Sequence, residues 1–222
     1  MKNYRPFLII AIVLTVSLIG GILLLRSGGG NDSFTNGAPT PVPSTGPGGP
    51  SPAENIVTLE EFGDYQCPPC GQLHPTLKKL NSEFSPRLNF VFRNLPLVSI
   101  HKNAMLAAQA AEAARVQNRF WEMHDLLYES QKQWSEEANP KPIFLKLARD
   151  LGLDIARFES DLASEEVKMR IQADQEAAAR QGIDGTPTIL INGRRLRVEA
   201  TTPEGIRTGL ELMMGRKAAP TP

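Results

Sequence analysis

Cys67 and Cys70 are the only cysteines in the chain, and they stand three residues apart. A pair at this spacing can close a small disulfide ring and reopen it, so its chemistry is thiol–disulfide exchange. The preceding stretch Ile56–Phe62 is rich in β-branched residues and ends at Gly63, which predicts a strand. Leu73, Leu77 and Leu80 lie at helical spacing and predict a helix from about Cys67 to Phe84, with Pro75 inside it as the expected site of a kink. Cys67 then falls at a helix N-terminus, where unpaired amides and the helix dipole stabilise a thiolate. Pro68 and Pro69 fit there, because first-turn amides have no intrahelical partner to lose. Cys70, one turn in, is expected to be the buried resolving thiol. Pro69 also removes an N–H that would point at the Cys67 sulfur. The thiolate is therefore expected to be less strongly stabilised than in a motif whose third residue is not proline.

Other uses of the pair fit less well. His74 would extend it to C-x2-C-x3-H, but a zinc site needs a fourth protein ligand. A c-type haem needs histidine directly after the second cysteine, where Gly71 stands. A purely structural disulfide across so short a loop would constrain the unfolded chain little. No metal and no organic cofactor is expected, the redox-active Cys67–Cys70 disulfide being sufficient. His74 reads as a partly exposed helix histidine, and His101 and His124 as structural. Phe120, Trp121, Leu126, Leu127 and Trp134 read as core, and the small-residue run Ala104–Ala114 as a surface for close helix packing.

The elements that must hold this pair occupy most of the 222 residues, of which 41% are hydrophobic and 22% charged. Lys+Arg and Asp+Glu are 24 each, with no basic stripe, so a nucleic-acid partner is not implied. Residues 7–25 form a 19-residue uncharged apolar run, long enough for a membrane helix. Lys2 and Arg5 precede it and Arg26 alone follows, which favours a cytoplasmic N-terminus and an external remainder. The rival is a cleaved signal peptide, disfavoured by the length of the run and the absence of a clean small-x-small cleavage site. Residues 27–52 hold seven glycines and six prolines and read as a flexible linker.

The domain expected over residues 53–215 alternates strands and helices. Leu88–Phe92 is the second strand. Helical pieces follow at Asn103–Gln117, Arg119–Ser130, Pro142–Leu151, Asp154–Leu162 and Glu165–Gln181. Thr188–Ile191 is a third strand, and Asn192-Gly193 is a hairpin turn into Leu196–Val198. Pro203 opens a last helix to about Met214, and residues 216–222 form a frayed tail. The expected class is α/β, with a helical insertion over about residues 100–182.

The segments F-G-D-Y-Q-C-P-P-C-G, F-W-E-M-H-D-L-L-Y and G-I-D-G-T-P-T-I-L-I-N-G together resemble the DsbA-like thioredoxin-fold thiol–disulfide oxidoreductases. The likeness covers about residues 50–215 and is strongest to the membrane-tethered or secreted bacterial branch. It implies a thioredoxin fold carrying an inserted helical subdomain. It also implies that Pro187 follows a cis peptide bond and faces the cysteines, that Thr186 pairs through its backbone with an extended substrate segment, and that Gly185 belongs to the same binding turn. Glu61 stands at the place of a buried acid that exchanges the Cys70 proton through water, its pKa raised by burial. Strand alternation puts only one of Glu60 and Glu61 on that face.

Two departures bear on the direction of electron flow. Strongly oxidising members typically carry histidine where this chain has Pro69, and valine where it has Thr186. Threonine there also occurs in reducing and isomerising relatives. The function implied is an extracytoplasmic, membrane-anchored oxidoreductase, secreted if the N-terminal segment is cleaved. It would form disulfides in exported cysteine-containing proteins and be reoxidised by a membrane partner such as a quinone-linked oxidase. A reductase or isomerase kept reduced by a membrane electron carrier, and a tethered binding or chaperone module without turnover, are the alternatives.

Overall fold

Strand β1 (Val57–Gly63) takes the middle of a four-stranded sheet. The computed structural model describes residues 56–215, so the apolar run, the linker and the tail beyond residue 215 lie outside the described residues. Helix α1 (Pro68–Phe84) follows β1 and returns the chain to β2 (Leu88–Asn94), which pairs parallel to β1 from Val57 opposite Leu88 to Gly63 opposite Asn94. A helical block comes next: α2 (Ala104–Val116), α3 (Phe120–Glu129), α4 (Gln131–Trp134), α5 (Lys141–Asp150), α6 (Ile155–Asp161) and α7 (Glu165–Arg180). The chain then re-enters the sheet as β3 (Thr188–Ile191), antiparallel to β1, turns into β4 (Arg194–Arg195), and ends in α8 (Pro203–Met213). The strand order is β2-β1-β3-β4. Among the described residues no helix is long and apolar enough to cross a membrane.

Alternation along β1 divides the core. Val57 and Leu59 meet Leu73, Leu77 and Leu80 of α1 and Ile206 and Leu210 of α8. Phe62, on the other face, meets Leu190, Ile183 and Ala178 of α7. Glu60 shares the Phe62 face and pairs with Arg93, leaving Glu61 on the α1 side. The third core lies within the helical block. Ala107, Ala110, Ala111 and Ala114 of α2 are buried, and α2 packs on α3, α5, α6 and α7. A helix can approach four others only if its side chains are short.

Several details depart from the sequence reading. The hairpin's second strand is Arg194–Arg195, not Leu196–Val198, and Val198–Ala200 is a turn of 3-10 helix. Asn192 and Gly193 both take left-handed backbone (φ 49° and 73°), forming a two-residue turn that sets Arg194 directly opposite Ile191. Pairing therefore begins immediately after the turn. Trp121 is 42% exposed rather than core, its ring stacked on Phe90 at the block's edge. Trp134 is fully buried, with its indole N–H donating to the Leu127 carbonyl, and it closes the short helix α4, which the pattern alone does not reveal. Ser85–Pro86 is cis, a second such bond beside Thr186–Pro187.

Replacing Ala110 with leucine should overpack the α2 contact and lower unfolding free energy by about 1–3 kcal/mol in urea denaturation. An unchanged denaturation midpoint would show that the space around α2 is not closed.

Candidate active site

Cys67 is the N-cap residue of α1, with extended backbone (φ −67°, ψ 119°), and the two prolines fill the first positions of the helix. Its N–H donates to the Asp64 carbonyl at 3.1 Å, and its carbonyl accepts from Gly71 N. Both cysteines are free thiols in this structure, and both are buried. The Cys67 Sγ–H donates to the Thr186 carbonyl at 3.5 Å, bridging 119 residues of sequence. The Thr186–Pro187 bond is cis, as the resemblance implied, and both residues line a groove of about 410 Å³ with Pro69, Gly185 and Leu196. A side chain at Gly185 would meet open space, so the position is not sterically closed.

The two thiols are electrostatically unlike. The Cys67 pKa falls from 9.0 to about 6, chiefly through a hydrogen bond from the Cys70 thiol, against the opposing cost of burial. A bond from the Thr186 side chain and the Cys70 backbone N–H add to the lowering. Thr186 Oγ1 is buried and has no partner while Cys67 is a thiol, so its hydroxyl is held ready for the thiolate. Cys70 moves the other way, well above 9.0, because it is buried, because it is bonded to Cys67, and because the Glu61 charge is near. Of the backbone amides at the start of α1, that of Cys70 bonds to Cys67, while Pro68 and Pro69 have no N–H to give.

Glu61 is 1% exposed, and burial pushes its carboxyl from 4.5 up to about 8, with the Cys67 charge adding to the rise. Its Oε1 has no hydrogen-bond partner among the described residues. The hydroxyl of Tyr128 is likewise unpartnered, and burial raises its pKa, with the charges of Glu61 and Cys70 adding to the rise. A carboxyl, a phenol and a thiol near Cys67 are thus all buried, and each favours its neutral form.

The loop that presents Cys67 is clamped by His101, which the sequence marks as structural, and by residues to which the sequence assigns no role. Asp64 is buried; its Oδ1 accepts from Gln66 N at 2.7 Å, and its Oδ2 accepts from Leu97 N at 2.9 Å and lies 2.7 Å from His101 Nδ1. The Gln66 side chain donates to the Ser135 carbonyl and accepts from Asn103 N. Gln131 Nε2 reaches across to the carbonyls of Tyr65 and Cys67 at 2.7 and 2.9 Å. A Cβ at Gly71 would sit 2.6 Å from the Gln131 amide oxygen, so glycine there leaves room for the clamp. The available signal was the position of D-Y-Q between a strand end and a helix start, where loop amides need acceptors.

His74 is 4% exposed rather than partly exposed, because its Nε2 is 2.8 Å from Asp125 Oδ1 on α3. It therefore does not extend the cysteine pair into a C-x2-C-x3-H set. His124 is buried in an aromatic cluster and bonded to the Tyr65 hydroxyl. Its pKa falls to about 3, first through burial and then through the neighbouring His74.

Residues 51–211 match the family model described as thioredoxin. A thioredoxin-like oxidoreductase from Silicibacter pomeroyi DSS-3 is similar, with 30% identity and TM-score 0.55 over 64% of this chain and 78% of that one. The oxidoreductase DsbA from Xylella fastidiosa shares the fold, with TM-score 0.61 at 21% identity over 76% of this chain and 90% of that one. The Na(+)/H(+) antiporter NhaA 1 of Salinispora arenicola (strain CNS-205) is 43% identical over 144 residues, 65% of this chain but 21% of the antiporter. The chain thus spans about a fifth of the length of the curated relatives it matches.

Glu61 makes stability pH-dependent. A carboxyl whose pKa is raised on folding favours the fold most below its unfolded value, near 4.5, and loses that contribution as pH rises through about 8. Glu61→Gln should therefore flatten the fall in stability of the reduced protein between these limits, as read by thermal melts across pH. Parallel pH profiles for the two proteins would mean that Glu61 is solvated.

Proposed function

The chain belongs to the thioredoxin family and shares its fold with DsbA, and from that premise we propose that it is a thiol–disulfide oxidoreductase that forms disulfides in exported proteins. The observation that carries this reading is the opposed behaviour of the two sulfurs: Cys67 lowered to about 6 at a helix N-terminus, Cys70 buried and raised. A low-pKa thiol is both a ready thiolate and a good leaving group. Stabilising the reduced pair makes the disulfide easier to reduce, which favours passing it to a client.

In the proposed cycle a client thiolate attacks Sγ of Cys67 in the Cys67–Cys70 disulfide. The bond between the two cysteines breaks, and Cys70 leaves with the electron pair. Cys70 has a raised pKa and takes a proton, which Glu61, protonated below about 8, can supply. The client's second thiolate then attacks the client sulfur of the mixed disulfide and expels Cys67 as a thiolate. The client has lost two electrons and two protons, and the pair has gained two electrons. Thr186 and Pro187 hold the client segment in the groove beside Pro69, Gly185 and Leu196. The exchange itself calls on no metal and no organic cofactor.

The proposed location is the outer face of a cell membrane, with residues 7–25 as the anchor and residues 27–52 as the tether. The support for it is the sequence: an uncharged apolar run flanked by more positive charge on its N-terminal side. The proposed clients are exported proteins with cysteines, and the proposed partner for reoxidation is a quinone-linked membrane oxidase. Antiport is not proposed, since the likeness spans about a fifth of the antiporter.

Equilibration with glutathione should place the pair well above the −270 mV or so of thioredoxin, toward the value of about −120 mV typical of strong oxidants. Cys70→Ala should accumulate mixed disulfides on Cys67, and Cys67→Ser should form none. A potential at or below that of thioredoxin would reverse the direction and make the protein a reductant. Undiminished client complexes with Cys67→Ser would replace the enzyme with a binding module.

A further inference from the structure

We propose that His74, His124 and Asp125 form a site for one divalent cation of the zinc type, clipping the helix that carries the cysteines to the helical block. The three residues each offer one ligand atom, and these atoms lie within 4.8 Å of one another. His74 comes from α1, one turn after Cys70, while His124 and Asp125 come from α3. The site plays no part in the sulfur exchange and does not depend on it.

The donor set and its surroundings fit that class of ion. Two imidazoles and one carboxylate suit zinc and its first-row neighbours and disfavour calcium and magnesium, which take oxygen ligands. His74 Nε2 already stands 2.8 Å from Asp125 Oδ1, so the ion would replace the proton shared there, which leaves to solvent or to Nδ1. The Nδ1 of His124 is 3.0 Å from the Tyr65 hydroxyl, whose oxygen can accept a hydrogen bond from Nδ1–H, fixing the ring and leaving Nε2 for the metal. A pocket of about 90 Å³ opens onto all three residues, between Phe90 and Trp121, with space for water as the fourth ligand.

One neighbour opposes the ion. Lys78 Nζ lies 2.7 Å from Asp125 Oδ2 and partly neutralises the carboxylate that the metal needs. That opposition gives the proposal a distinctive signature, because removing the ammonium should strengthen the site. Lys78 has a half-exposed side chain, so its replacement should leave the fold intact.

The test is calorimetric titration of zinc chloride into the full chain with the Cys67–Cys70 disulfide closed, so that no thiolate competes. The expected result is one zinc per chain. Asp125→Asn should abolish binding, Lys78→Met should tighten it, and Tyr65→Phe should weaken it by about tenfold or more through loss of the ring's anchor. Cobalt(II) in place of zinc should give visible absorption bands that disappear in Asp125→Asn. No zinc uptake below millimolar concentration would overturn the proposal. Uptake that Asp125→Asn and Lys78→Met both leave unchanged would overturn it equally, by placing the ion elsewhere.

Discussion

A thiolate at the start of α1 can persist only if separate parts of the chain bring dipoles to it. The helix contributes the amide of Cys70, the same residue contributes its S–H, and the turn before β3 contributes the Thr186 hydroxyl. Thr186 is 119 residues from Cys67, and the hydrogen bond between them is the point where the two ends of the domain meet. The sheet order makes that meeting possible. Because β3 pairs directly with β1, with Thr188 opposite Phe62, the turn that precedes β3 lies at the same edge as the loop that leaves β1.

The helical block holds the same loop from its other side. Gln131, Asn103 and the Trp134–Ser135 corner take up the polar groups of Tyr65, Gln66 and Cys67. These bonds are short, shielded from solvent to varying degrees, and made to backbone atoms on at least one side. They fix the approach of Cys67 to the helix without touching its sulfur. Beneath the sulfur the environment changes to a low-dielectric pocket in which Glu61 and Cys70 both favour their protonated forms. A cysteine that gives up its proton easily stands close to a buried acid and a buried thiol that keep theirs.

The parts of this arrangement that are local in sequence were legible before the structure. The leucine period of α1 and the N-G turn each report on a few neighbouring residues, and the helix and the turn are found where they predict, although the strand after the turn is Arg194–Arg195. The burial of Glu61 rather than Glu60 followed from strand alternation once the resemblance pointed to an acid on that strand. What could not be read depends on contacts across tens of residues. His74 read as a partly exposed helix histidine because nothing in α1 announces Asp125, 51 residues later. Thr186 was assigned its backbone role, while its hydroxyl acquires a purpose only when β3 is set beside β1. Trp121 and Trp134 have equal claims on a core by composition, and only the packing of α3 and α4 sends one to the edge and the other inside.

The fold separates the two sulfurs electrostatically, and absorbance of the thiolate as the reduced protein is titrated with base measures that separation. One thiolate should appear with a midpoint near pH 6 and the second not before pH 9. Two thiols ionising together near pH 9 would contradict it.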